Sequence, residues 1–98
     1  MAPFLNFSTE ARTEFDDAFN WYVERSVGAA IGFVTEIDVA IELILADPRR
    51  FARTFAGCQL CRLKRYPYCV VYHNSADTIT VVAVAHTKRR PGYWHTRL

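Results

Sequence analysis

The spacing between apolar residues changes once along this chain, at Asp47-Pro48, and that change constrains the fold more than any other feature. Before it, apolar residues recur every three or four positions, the period of a helix with one buried face. After it they recur at every second position, the period of a strand. Ser8 and Thr9 followed by Glu10 make a helix start, with a hydroxyl to cap free N–H groups and an acid near the positive end of the dipole. Phe15, Ala18, Phe19, Tyr22 and Val23 form the apolar stripe that follows, with Glu14, Asp16, Asp17 and Glu24 on other faces. Gly28 is placed to end this helix near residue 27. A second helix is predicted over about 29–46, its core stripe made of Ala30, Val34, Ile37, Ile41, Ile44 and Leu45. Phe33, Val39 and Leu43 fall outside that stripe, so the helix is apolar on more than one face. Either core lies on both sides of it, or a patch awaits a partner. Asp47-Pro48 stops the helix, because the residue before a proline avoids the α region.

Three strands are predicted after the linker 49–57: residues 58–65, 68–73 and 78–86, with a turn cluster at Asn74–Asp77. Their connections are too short for crossovers, which gives an antiparallel meander. The expected fold class is α+β, an N-terminal αα-hairpin (8–46) packed on a C-terminal antiparallel sheet of three to four strands (58–87). A basic and aromatic tail (88–98) follows, and the 98 residues make a single domain, 1–98. Alternation puts Leu60, Arg62 and Lys64 on one sheet face and Cys61, Leu63 and Arg65 on the other, with Arg62 and Lys64 facing away from the helices. In the last strand it groups Ile79, Val81, Ala83 and Ala85 against Thr80, Val82, Val84 and His86. That strand is apolar on both sides, as a middle strand would be.

Charge is divided along the chain. Residues 1–48 carry nine acids and two bases, residues 49–98 ten bases and one acid, Asp77. One part of the surface should therefore attract anions. The three cysteines, an odd number, read as free thiols. Cys58 and Cys61 have CxxC spacing, but on a strand positions i and i+3 point to opposite faces, so small buried side chains account for them better than zinc or redox chemistry. Neither a metal nor a cofactor is expected. No apolar run approaches the roughly 18 residues of a membrane span. The first residues lack the basic and apolar regions of an export signal, so a cytoplasmic protein is expected.

The densest chemistry lies between His86 and Arg97, where four bases, two histidines, Tyr93 and Trp94 fall within twelve residues. Bases suit phosphates or an acidic partner, and rings suit stacking. Metal-free RNA cleavage needs a proton acceptor, a donor and a cation for phosphate charge. His86, His95 and Tyr93 are candidates for the protons, and Arg62, Lys64 and Arg89 for the charge. A two-metal nuclease is close to excluded, since the basic half offers only Asp77 as a carboxylate ligand.

Three blocks in order resemble a known family: Arg62-Leu63-Lys64-Arg65-Tyr66-Pro67-Tyr68, then Val70-Val71-Tyr72 with Ile79–Val84, then His86-Thr87-Lys88-Arg89-Arg90-Pro91-Gly92-Tyr93-Trp94. They are similar to blocks of the RelE/ParE superfamily, the toxins of bacterial type II toxin–antitoxin pairs, nearer its ParE-like side. The resemblance implies growth inhibition by the free toxin and a hetero-oligomer with a cognate antitoxin. It implies one of two targets. A ParE-like toxin poisons DNA gyrase and is not an enzyme; a RelE-like toxin is an endoribonuclease that cuts mRNA in the ribosome. On the first reading His86, Lys88, Arg89, Arg90, Trp94 and Arg97 bind the target. On the second Arg62, Lys64, His86, Arg89 and Tyr93 are catalytic. Phe33, Val39, Leu43, Arg62 and Lys64 are expected to meet the antitoxin. A third reading is a non-toxic binding module or decayed toxin.

Overall fold

The computed structural model describes residues 4–98. A short strand, β1 (Phe4–Phe7), leads into α1 (Thr9–Arg25) and α2 (Val27–Ala46). Four strands follow: β2 (Ala52–Arg53), β3 (Gln59–Arg62), β4 (Tyr68–Ser75) and β5 (Thr78–His86). Single 3-10 turns occupy Phe55–Gly57 and Tyr93–Arg97.

Ser8 caps α1, its Oγ accepting from the Ala11 N–H at 3.1 Å. The break between helices falls at Ser26, two residues earlier than the glycine predicts. Ser26 closes α1 by donating its N–H to the Tyr22 carbonyl at 2.7 Å and opens α2 by accepting from the Ala29 N–H at 3.2 Å. A hydroxyl residue that serves both ends makes a glycine stop unnecessary, and Gly28 lies in the first turn of α2. Asp47 ends α2, as Pro48 requires.

The sheet has five strands in the order β1-β5-β4-β3-β2. All neighbours are antiparallel except β1 and β5, which are parallel. This corrects the all-antiparallel expectation of three to four strands. The missed β1 alternates inward Leu5 and Phe7 with exposed Phe4 and Asn6, directly before the capping serine. Its addition makes β5 an interior strand, and β5 is apolar on both faces because the helices cover one and Trp94 covers the other.

Cross-strand register steps from Val71 opposite Ala83 to Tyr72 opposite Val81, leaving Val82 as a bulge. One extra residue moves every later side chain to the other face. Ile79, Val81 and Val84 therefore pack under the helices, while Val82, Ala83 and Ala85 face away. Unbroken alternation had put Ala83 and Ala85 with Ile79 and Val81, and the bulge corrects that grouping.

Two cores result. Under the helices, Phe33, Ile37, Ile44, Val70, Tyr72, Ile79 and Val81 are almost completely buried. On the opposite face Cys58, Cys69, Val71, Val82, Ala83 and Ala85 are covered by Trp94 from the tail. Cys58 and Cys61 fall in different cores, and all three cysteines are free and buried. Among the described residues, no helix is long and apolar enough to cross a membrane.

Candidate functional site

β1 stops at Phe7, so beyond the Ser8 N–H bond to the Val81 carbonyl the outer edge of β5 has no strand beside it. Two side chains take the place of that strand. The Glu14 Oε1 accepts from the Val84 N–H at 3.0 Å, and the Arg97 guanidinium donates to the Val82 carbonyl at 2.9 Å. Glu14 and Arg97 also form a bidentate pair, both N–O distances 3.0 Å. The Tyr93 hydroxyl donates to Glu14 at 2.6 Å, and Arg89 stands 3.8 Å from the same carboxylate. Glu14 thus receives the tail from three residues. Its hydrogen bond holds the Arg97 guanidinium above its ordinary range. Burial, then the Glu14 bond and charge, push the Tyr93 phenol far up.

The tail is held from behind as well. Gly92 has φ +77°, a left-handed conformation, and a Cβ there would lie 3.0 Å from the Phe55 ring. Both facts call for glycine. Trp94 is 4% exposed among the second-face residues. Burial raises the Cys58 thiol beneath it.

This anchoring sorts the target-binding candidates. Trp94 lies in a core and Arg97 is spent on Glu14, whereas Lys88, Arg89 and Arg90 are exposed. Arg89 lies over the Tyr93 ring at 3.9 Å. His86 is half-buried edge-on to Tyr68, and its Nδ1 accepts from the Lys88 N–H at 3.0 Å. An open groove of about 440 Å³ runs between α1 and the end of β5, past Trp21, Tyr22, Tyr68, His86 and Arg89.

The catalytic candidates fall into two groups: Arg89 lies over Tyr93 and shares a groove with His86, whereas Arg62 and Lys64 stand at a different groove. Arg62 is exposed at the end of β3 and, by alternation from inward Cys61, projects from the face away from the helices. Its charge acts on Cys69 of that face. His86 projects from the opposite face with Val84. Lys64 is exposed beyond β3.

A second groove, of about 260 Å³, separates α2 from β3. Val39, Ala40, Leu43 and Leu63 give it an apolar floor, and Arg62, Lys64 and Arg65 rim it. Glu36 ties the two walls together, accepting from the N–H groups of Lys64 at 2.9 Å and Arg65 at 3.1 Å. Tyr66 braces the same corner by donating to the Ala29 carbonyl at 2.6 Å, and a side chain at Gly32 would collide with its hydroxyl. Four of the five antitoxin-contact candidates line this groove. Phe33 does not; it is fully buried in the helix-side core.

Sequence reasoning assigned Glu14 no role. The available signal was its place between buried Ala11 and Ala18 at helical spacing, a lone acid beside an inward stripe. It also passed over Arg50 and Arg53, exposed where β2 borders β3.

Residues 5–91 match the family model described as the ParE toxin of the type II toxin–antitoxin system parDE, and the chain belongs to that family. Among solved structures it is similar to one described as a chromosomal ParDE TA system from P. aeruginosa. The TM-score is 0.73 at 17% identity, over 87% of this chain and 96% of the other. Comparison with curated proteins returns no match.

Proposed function

We propose that this toxin-family chain arrests growth by binding DNA gyrase through its tail, and that an antitoxin neutralises it by occupying the groove between α2 and β3. The contacts to gyrase come from His86, Lys88, Arg89 and Arg90, the part of the tail that faces solvent or lines a groove. What favours gyrase over mRNA cleavage is the separation of the nuclease candidates into two groups, Arg62 and Lys64 in one and His86, Arg89 and Tyr93 in the other. Arg62 and His86 project from opposite sheet faces, and the phenol of Tyr93 is half-buried and already donated to Glu14. Proton transfer needs a group within hydrogen-bond reach of substrate and a pKa near the working pH, and Tyr93 has neither. Purified toxin is expected to stop supercoiling by gyrase and to provoke a DNA-damage response in cells. Intact supercoiling with new mRNA ends at ribosomal A sites would replace this reading with the endoribonuclease one. Absence of any growth defect would favour a non-toxic module.

The antitoxin segment is expected to be acidic and studded with apolar residues. Val39 and Leu43 offer it an apolar seat, and Arg62, Lys64, Arg65, Arg50 and Arg53 are exposed, with none in an ion pair among the described residues. Rim charges of this kind act mainly on the association rate. That rate should fall as salt rises and the screening length shrinks from roughly 10 Å at 0.1 M to 3 Å at 1 M. A rate that does not change with salt would remove the electrostatic part of the proposal.

A further inference from the structure

The family match ends at residue 91, yet the contacts that fix the tail come from Tyr93, Trp94 and Arg97. From these contacts we infer that Glu14 is the positioning residue of the target-binding tail, and that Arg97 is its anchor rather than a target contact. The inference rests on the gyrase-binding reading above.

Three observations meet at this carboxylate. Glu14 is the only acid among the described residues that pairs with a base of the C-terminal half. It takes both guanidinium nitrogens of Arg97 and the phenol of Tyr93, and these two residues flank Trp94. Arg97 in turn reaches the backbone of β5, so the strap is fastened to sheet and helix together. A basic tail without this fastening would sample many conformations, and binding would have to order it. Fastened, it presents Lys88, Arg89 and Arg90 from a turn held in place at both ends: His86 on one side, Gly92 against Phe55 on the other. Neutralising Arg97 also narrows the exposed, uncommitted cations of residues 88–98 to that turn. Glu14 therefore decides which cations the target meets and in what arrangement.

The test uses the full chain with Trp21→Phe, so that emission reports Trp94 alone; Trp21 is half exposed and the other tryptophan is buried. Glu14→Gln keeps an acceptor for the Val84 N–H but drops the charge that holds Arg97 and Arg89. Its expected effect is a red shift of Trp94 emission and a roughly tenfold rise in the toxin concentration that half-inhibits gyrase. That is the size of ordering two or three side chains at the moment of binding. Antitoxin affinity, read at the other groove, should not move, which separates positioning from a general loss of fold. The double variant Glu14→Gln with Arg97→Gln replaces the ion pair by two amides able to bond each other, and should restore both emission and inhibition. Emission unmoved by Glu14→Gln would overturn the inference, as would released Trp94 with unchanged inhibition. Restored emission without restored inhibition would make Arg97 a target contact and overturn its anchoring role. If the unsubstituted chain does not inhibit gyrase, the gyrase reading fails by itself, and the emission arm still decides whether Glu14 holds the tail.

Discussion

Phe33→Ala is expected to cost about 3–5 kcal/mol of stability, the range for removing a large aromatic from a packed core. Phe33 is 0% exposed and stands among four other rings, its centroid 5.6 Å from Phe15, 5.4 Å from Tyr22, 5.7 Å from Tyr66 and 5.4 Å from Tyr68. These rings belong to α1, α2 and the corner leading into β4, so the void would open where hairpin meets sheet. Domains of this size lose roughly 4–8 °C of Tm per kcal/mol and hold only about 5–15 kcal/mol in all. Melting should therefore fall by more than 12 °C, or the variant should fail to fold. Val39→Ala, on the exposed side of the same helix, should leave melting nearly unchanged and weaken antitoxin binding instead. Equal melting losses for the two would contradict the placement of Phe33 in the core and Val39 on the exposed side of α2.

Alkali should unfold the protein earlier than its arginine-rich composition suggests. Burial pushes the Tyr72 phenol from 10.0 to about 12, and its hydroxyl donates to the Pro48 carbonyl at 2.6 Å. Tyr22, Tyr68 and Tyr93 are raised as well, also by burial first. A raised phenol keeps its proton in the folded state over a window where the unfolded chain has lost it. Its stabilisation is complete below pH 10 and is lost as pH rises through about 12. Tyr72 alone should account for roughly 2–3 kcal/mol of that loss, at 1.36 kcal/mol per pH unit of displacement. The buried thiols are raised from 9.0 and act in the same direction, so the decline starts near pH 9. Denaturant unfolding at stepped pH measures it. Tyr72→Phe should flatten the slope, and a stability constant from pH 10 to 12 would sink the account.

Much of the architecture was legible because period and punctuation are local. The Ser8 start, the Asp47-Pro48 stop and the opposed faces of Cys58 and Cys61 all follow from spacing within a few residues. What was hidden depends on distant partners. β1 is four residues long and pairs with residues 74 positions away, which no local pattern announces. The Val82 bulge exists only relative to β4. Glu14 reads as one more solvated acid until the tail is seen to return to it. For the same reason the tail was legible as a basic segment but not as one whose last arginine is already neutralised.

The parallel pairing of β1 with β5 sets an order for biosynthesis. The helical hairpin is complete at Ala46, but the strand that precedes it has no neighbour until Thr78 to Val81 have been made. At about 5–20 residues per second the ribosome needs several further seconds to deliver the remainder. During that interval the hairpin carries an uncovered apolar face, and long-range pairing of this kind is slow to form. The hairpin can therefore close over a complete sheet only once β5 has been made, late in synthesis.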